Sequence, residues 1–233
     1  MRTRAVDHSV PVFLLAGLAA LLFAFAFYLL GARLAQMPGD AAREALLNKE
    51  KISDAALDDL ARSRARAAAW RAAGGTLSDL SMAAFERASR KGLDLPAAAA
   101  DIQEALRWQE KALGRAPADS YGWTQLSYMI YLTEGISERA AWAFARSVET
   151  NPFEPRLMAP RVTMAIRLHD KLDEDTKASV PSMIREAWDV DPYETAMAAV
   201  KNYYTTLVDD ALAYDPSKRE AFRKFVKEQT QEE

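Results

Sequence analysis

The longest uncharged stretch of this chain constrains its fold more than any other feature. Residues 10–32 form a run of 23 positions without a charged side chain, and Leu, Ala and Phe dominate it. As a helix rising about 1.5 Å per residue, the run would cross the roughly 30 Å hydrocarbon core of a bilayer. The run therefore predicts a single transmembrane helix over residues 10–32.

Two other interpretations of this run are weaker. A buried core helix rarely stays apolar on every side for such a length. A cleaved signal peptide would explain Arg2 and Arg4, which precede the run. However, the run is longer than the apolar region of a signal peptide, and Ala32, Arg33 and Leu34 form a poor cleavage site. A retained anchor is therefore favoured.

The charges on either side of the run bear on its orientation. Arg33, Arg43 and Lys49 follow it, so a simple count of basic residues does not favour the short tail. The opposite topology would nevertheless carry two tail arginines across the membrane, whereas large C-terminal domains cross largely regardless of charge. We expect a bacterial inner-membrane protein with residues 1–9 in the cytoplasm and everything after residue 32 in the periplasm.

The rest of the chain has a helical composition. Only 9 glycines occur, and Ala, Leu, Glu, Arg and Lys are abundant, which favours helices over strands. The 30 Lys and Arg are interleaved with 33 Asp and Glu, so no basic surface is expected to bind nucleic acid. Cysteine is absent, which excludes disulfides and thiolate chemistry. We expect an all-α chain with a helical juxtamembrane region at 33–96 and a helical repeat domain at 97–233.

Local signals divide the juxtamembrane region. The cluster at residues 37–39 contains Pro and Gly and should end the anchor, and Asp40 should cap a helix that runs to about Trp70. The glycines at residues 74–75 should end that helix. Residues 76–79 have the form of a capping box and should begin the next one.

Similar segments recur in the repeat domain, and each ends in a proline. These prolines are Pro117, Pro152, Pro192 and Pro216. Their spacing of 35, 40 and then 24 residues begins close to the length of one helix–turn–helix pair. Asn151 and Asp191 are expected to cap helices that start at the next proline. The last, short interval predicts one long helix from about Glu194 to Tyr214, followed by a terminal helix from Pro216.

The best-formed unit lies between Ser120 and Pro152. Its first helix carries Trp123, Leu126, Ser127 and Ile130, and its second helix carries Ala140, Phe144 and Ser147. In this spacing the chain resembles the tetratricopeptide-repeat family. The second-helix spacing recurs on both sides of this unit, at Ala105, Gln109, Ala112 and Pro117, and at Val180, Ile184, Ala187 and Pro192. The resemblance implies a short α-solenoid of antiparallel helix pairs.

A second resemblance concerns the whole layout. An anchor followed by few degenerate units is similar to the tetratricopeptide-like proteins encoded in bacterial exopolysaccharide biosynthesis and export loci. The residues that carry it are Trp123, Arg161, Arg167, Trp188 and Pro192. It implies a scaffold that binds a protein partner in an envelope assembly. Two alternatives stay open: a periplasmic chaperone or cytochrome-maturation adaptor that binds polypeptides, and a small polysaccharide-modifying enzyme.

The tetratricopeptide resemblance also implies a binding groove. In that family the inner faces of the first helices line a concave groove for peptides or partner proteins. The matching positions here are Tyr121, Thr124, Tyr128 and Tyr131 in one unit, and Arg156, Ala159, Thr163 and Arg167 in the next. Tyr and Arg suit the recognition of an extended peptide or a polysaccharide. Alternatively, the tyrosines pack between neighbouring helices.

The sequence offers little for catalysis. His8 and His169 have no evident partners for a triad or a zinc site, and no glycine-rich phosphate-binding motif occurs. Adjacent carboxylates, as at residues 58–59 and 209–210, diverge on a helix and do not converge on a substrate. We expect a protein that is not an enzyme, with no catalytic residue, metal site or cofactor.

Overall fold

The structure, a computed structural model, describes residues 9–231 of the chain. Within that range the chain is all-helical and contains no strand. The α-helices are α1 (Ser9–Gln36), α2 (Asp40–Leu47), α3 (Asp54–Trp70), α4 (Gly74–Lys91), α5 (Ala99–Leu113), α6 (Ser120–Glu134), α7 (Glu138–Thr150), α8 (Met158–Leu168), α9 (Glu174–Val190), α10 (Pro192–Lys201), α11 (Thr205–Ala211) and α12 (Pro216–Gln231). The predicted all-α class is confirmed.

Helix α1 contains the apolar run. Its side chains are exposed almost without interruption from Phe13 to Leu30, which distinguishes it from a buried core helix. Among the described residues it is the one helix long and apolar enough to cross a membrane. The predicted cytoplasmic tail lies outside the described residues except for Ser9, which begins the helix.

The chain forms two compact units, Met1–Ala83 and Ala84–Glu233. In the first unit, α1 packs against α3. The approach is also close at Gly39, in the turn that follows α1, where a Cβ would lie 2.8 Å from the Cα of Leu60, so any side chain there would collide with backbone. Arg64 is 1% exposed and binds the Gln36 carbonyl at 2.7 Å, Asp79 at 2.7 Å and Asp40 at 2.9 Å. This buried guanidinium ties four segments of the unit together.

Two boundaries in the first unit differ from the prediction. A single helix from Asp40 to Trp70 is wrong, because the chain breaks after Leu47: Lys49 adopts φ 60°, and the Ser53 side chain caps α3 by accepting from the Ala56 amide at 3.2 Å. Helix α4 also begins before the expected capping box. Thr76 is buried within α4, and its hydroxyl accepts a hydrogen bond from Gln36 at 2.8 Å, so this hydroxyl connects α4 to α1.

In the second unit, α6 and α7 form an antiparallel pair. The hydroxyls of Thr124 and Ser147 lie 2.5 Å apart, and Ser127 donates to the Ala140 carbonyl at 2.8 Å. A later residue of α6 thus contacts an earlier residue of α7, so the two helices run in opposite directions. Most of the apolar residues matched to the repeat pattern lie in one hydrophobic core: Trp123, Leu126, Ile130, Ala140, Phe144, Val180, Ile184 and Ala187. Ala105 lies in a separate, smaller cluster. Burial of these positions at helical spacing holds the pair together.

The proline segments behave in two ways. Asp191 caps α10, accepting from the Glu194 amide at 3.0 Å with Pro192 in the first turn, as predicted. Asn151 does not cap the start of the next helix but follows the end of α7 as its C-cap residue, so that prediction is wrong. The reason is Pro155, which disfavours helical backbone at the residue before it and leaves Glu154 extended at φ −127° and ψ 101°. Helix α8 therefore starts later.

The long helix predicted from Glu194 to Tyr214 is also wrong. The chain forms α10 and α11 with a break between them, where Tyr203 takes the left-handed φ of 61°. Asn202 ends α10 by donating to the Ala198 carbonyl at 2.7 Å, and its side chain also accepts from Arg167 at 2.9 Å. A contact made by a distant helix therefore supports this break.

The terminal helix α12 covers the end of the core. Phe222 is 1% exposed and packs edge-on against Trp188, with ring centroids 6.0 Å apart. Asp209 of α11 receives hydrogen bonds from Arg223 at 2.6 Å and Arg219 at 2.9 Å, and these hold the pKa of its carboxyl well below the usual range. The apolar contact and the ion pairs together fix α12 on the domain.

Gln109 is the one side chain of the described residues whose buried polar atoms lack any hydrogen-bond partner. We expect Gln109→Met to stabilise the protein by about 1 kcal/mol, because an unpaired buried amide costs free energy that a thioether of similar shape does not. Thermal unfolding followed by circular dichroism should show a midpoint about 2–4 °C higher. Gln103→Met, on the exposed face of the same helix, is the control. An unchanged or lower midpoint for Gln109→Met would contradict the expectation.

Candidate functional site

A cleft of about 410 Å³ lies between α6 and α8. Its lining residues are Tyr121, Thr124, Gln125 and Tyr128 on α6, and Leu157, Pro160, Thr163, Met164 and Arg167 on or just before α8. Three of the α6 residues follow the i, i+3, i+7 spacing that places side chains on one face of a helix. The cleft has the size of a site for a small ligand or a short peptide segment.

The α6 wall combines a polar floor with an aromatic rim. Thr124 is 6% exposed, donates to the Ser120 carbonyl at 2.9 Å and contacts the Ser147 hydroxyl, so its hydrogen bonds are internal. Tyr128 is half-buried and packs edge-on against Phe85, with ring centroids 5.9 Å apart. The rim ring is therefore fixed in place and presents a rigid surface to a ligand.

The α8 wall ends at Arg167, which is held from two sides. Its Nε donates to Asn202 at 2.9 Å, and its guanidinium carbon lies 5.1 Å from the centre of the Tyr131 ring. No carboxylate among the described residues forms a salt bridge with it. The remaining N–H groups of this positioned cation are therefore available to a ligand that carries hydrogen-bond acceptors.

Tyr121 forms the opposite end of the cleft. It is 39% exposed, and its hydroxyl donates to Glu154 at 3.2 Å. Partial burial raises the pKa of this phenol, the Glu154 carboxylate raises it further, and Arg156 acts in the opposite direction. The phenol therefore stays protonated near neutral pH and keeps its donor directed at Glu154.

A buried arginine underlies the cleft. Arg161 is fully buried and donates to the Ser147 carbonyl at 2.5 Å, the Asn151 carbonyl at 2.8 Å and the Pro152 carbonyl at 3.2 Å. Burial lowers the pKa of its guanidinium. Ser147 in turn donates to the Ser120 carbonyl at 3.0 Å, so one polar network joins α6, α7 and α8. This network sets the separation of the two cleft walls.

The structure brings together five of the eight residues predicted to line a groove. Tyr121, Thr124, Tyr128, Thr163 and Arg167 line the same cleft. Tyr131 instead lies beneath Arg167 and packs against the core, as in the alternative interpretation of the tyrosines. Arg156, which is exposed, and Ala159 lie outside the lining. Sequence reasoning missed Gln125, Leu157, Pro160 and Met164, although the last three repeat the same helical spacing and could have been found by it.

Comparisons with known proteins add no family or relative. No protein-family model matches this chain, and no curated protein matches it in sequence. Both resemblances therefore stay predictions that rest on residue spacing. Among the described residues, no group of three or more His, Asp or Glu is placed to hold a metal ion.

Proposed function

We propose that this protein is a membrane-anchored adaptor whose cleft between α6 and α8 binds a segment of a partner protein. The observation that carries the proposal is the lining of the cleft: an apolar and aromatic wall, with a fixed arginine at one end and a tyrosine–carboxylate pair at the other. Such a surface buries apolar side chains of a peptide while hydrogen-bonding its backbone or polar groups.

The lining favours binding over catalysis. No carboxylate, histidine or other general base is among its residues, and the nearby Glu154 is already engaged by Tyr121. Acid–base chemistry on a polysaccharide needs two carboxyl groups on either side of the bond to be cleaved. We therefore propose an adaptor and not an enzyme.

The finer parts of the proposal come from the sequence. We propose that α6–α7 and α8–α9 are degenerate tetratricopeptide-like pairs, that α1 spans a bacterial inner membrane, and that the helices after it lie in the periplasm. The resemblance to proteins of exopolysaccharide loci favours an assembly that synthesises or exports such a polymer. The same cleft would also serve a chaperone or cytochrome-maturation adaptor, since both bind polypeptides.

Filling the cleft should abolish partner binding. A photo-crosslinking amino acid at Tyr128 of the full-length chain in cells is expected to yield a defined protein adduct. Adding Thr163→Trp should reduce that adduct at least about tenfold, because an indole would occupy much of the cleft. Tyr203, which is 94% exposed and outside the cleft, is the control position for the crosslinker. Ser89→Trp is the control substitution on an exposed helix surface.

Two results would contradict this expectation. One is an adduct at Tyr128 that Thr163→Trp leaves unchanged, and the other is the same adduct from Tyr203. The pathway is tested separately by deleting the gene and measuring secreted polysaccharide. Unchanged secretion would reject the polysaccharide role but leave the peptide-binding role intact.

A further inference from the structure

Helix α3 runs back along α1 towards the exposed apolar run. Leu60 of α3 lies against Gly39, Arg64 binds the carbonyl of Gln36, and a Cβ at Gly31 would meet the ring of Trp70 at 2.9 Å. Later residues of α3 therefore contact progressively earlier residues of α1 and of the turn that follows it. The C-terminal end of α3 lies beside residues 27–31, which belong to the apolar run itself.

Trp70 forms an aromatic cluster at that level. Its ring centroid lies 6.5 Å from that of Phe27 and 6.4 Å from that of Tyr28. Trp70 is 44% exposed and Tyr28 is 39% exposed, so each ring packs against the other on one side and remains accessible on the other. Amphipathic rings of this kind favour the boundary between hydrocarbon and water, where one end is apolar and the other is hydrated.

The charges of α3 differ along its length. Arg64 is buried in ion pairs and Arg62 is paired with Asp59 at 2.7 Å. Arg66 and Arg71, which flank Trp70, are exposed, and no carboxylate of the described residues pairs with either. Arg66 and Trp70 are four positions apart and so share one face of the helix. The exposed arginines without a carboxylate partner, Arg66 and Arg71, therefore lie at and just after the end of α3 that is beside the apolar run.

We propose that the last turns of α3 are a second membrane contact, in which Trp70 lies in the interfacial layer and Arg66 and Arg71 bind the phosphates of anionic lipids. The occupant is a lipid surface because the site is continuous with the exposed apolar side chains of α1, a helix long and apolar enough to cross a bilayer. A guanidinium with no protein partner at headgroup level forms charge-assisted hydrogen bonds with lipid phosphate.

The proposal also sets the depth of the anchor. Charged Arg66 and Arg71 are costly in hydrocarbon, so the level of Trp70 marks the interface. The hydrocarbon-embedded part of α1 then ends near Phe27 and not at residue 32. Counted from residue 10, it is about 18 residues or roughly 27 Å long, which is still sufficient for a bilayer.

The test uses the absence of cysteine from the chain, which allows single spin labels without background. Ala55→Cys, Ala65→Cys and Ala69→Cys place labels at exposed positions along α3, and Leu21→Cys places one on α1. The full-length protein is reconstituted in vesicles of phosphatidylcholine with and without phosphatidylglycerol. Contact of each label with oxygen and with a water-soluble nickel complex then gives its depth. We expect immersion to increase from residue 55 to residue 69, with residue 69 at the headgroup layer.

The arginines are tested by lipid selectivity. Arg66→Gln and Arg71→Gln should each lower the preference of the protein for phosphatidylglycerol about fivefold, and the double variant more. Arg115→Gln removes an exposed, unpaired arginine outside this unit and should change nothing. A label at residue 69 as hydrated as that at residue 55, with residue 21 immersed, would overturn the second contact but leave the anchor standing. A hydrated label at residue 21 would overturn the anchor and with it this proposal.

Discussion

Replacing Arg161 by methionine is expected to destabilise the second unit by about 3 kcal/mol. The guanidinium makes its hydrogen bonds in a fully buried position, three of them to carbonyls at and after the C-terminal end of α7. Methionine fills much of the volume but leaves those carbonyls without donors, and it removes a cation from the negative end of the helix. Thermal unfolding should show a midpoint lower by about 6–12 °C.

Two further variants identify the cause. Arg161→Lys keeps the charge but lacks the planar fork that reaches several carbonyls, so we expect it to recover only a minor part of the loss. Arg156→Met changes an exposed arginine nearby and should alter stability by no more than about 0.5 kcal/mol. If Arg161→Met were as stable as Arg156→Met, the network could not be what fixes α7 against α8. Crosslinking from Tyr128 should fall in the Arg161 variants, because the same network spaces the cleft walls.

Replacing Arg64 by methionine should have a comparable effect on the first unit, about 3–5 kcal/mol. Arg64 is the common partner of Asp40 and Asp79 and also binds the last carbonyl of α1. Without it, the two carboxylates lose the one cation that they share, and each keeps only a more exposed partner, Arg33 for Asp40 and Arg43 for Asp79. We expect α1 to separate from α3, which hydrogen exchange would detect as faster exchange of amides in α2 and α3 in the reconstituted protein.

Arg62 provides the matched control for this prediction. It lies two positions away on the same helix, but its pair with Asp59 is exposed, and such pairs contribute roughly 0–1 kcal/mol. Arg62→Met should therefore leave exchange unchanged. Equal exchange rates in the Arg64→Met and wild-type proteins would show that the packing of Trp70 and Gly39 is sufficient to hold α1 on α3.

The contrast between correct and incorrect sequence predictions follows from the range of the interactions involved. Asp191 caps α10 as expected, because the cap is completed within three residues by the Glu194 amide. Asn151 has the same local pattern but does not cap the next helix. Pro155 disfavours helical backbone at Glu154, the residue before it, so no helix can start directly after Asn151. The break at Tyr203 carried no proline or glycine signal, and its stabilising partner, Arg167, lies 35 positions before Asn202.

The candidate site shows the same division. Helical spacing placed Tyr121, Thr124 and Tyr128 on one face of α6, and all three line the cleft, since residues three and four apart share a face wherever the helix is placed. Spacing could not tell which tyrosine would face the cleft and which would support it. Tyr131 became a support because Arg167 of another helix lies over its ring.

The sequence by itself determined the long apolar helix α1, the all-helical class and the buried faces of α6 and α7, because composition and periodicity act within a single element. Only the tertiary structure decided the cleft, the two buried arginines and the position of Trp70 beside residues 27–31. Those features depend on which helices meet and at what separation. The separation between helices is set by side-chain packing and by ion pairs and hydrogen bonds between residues far apart in the sequence. No local sequence pattern encodes it.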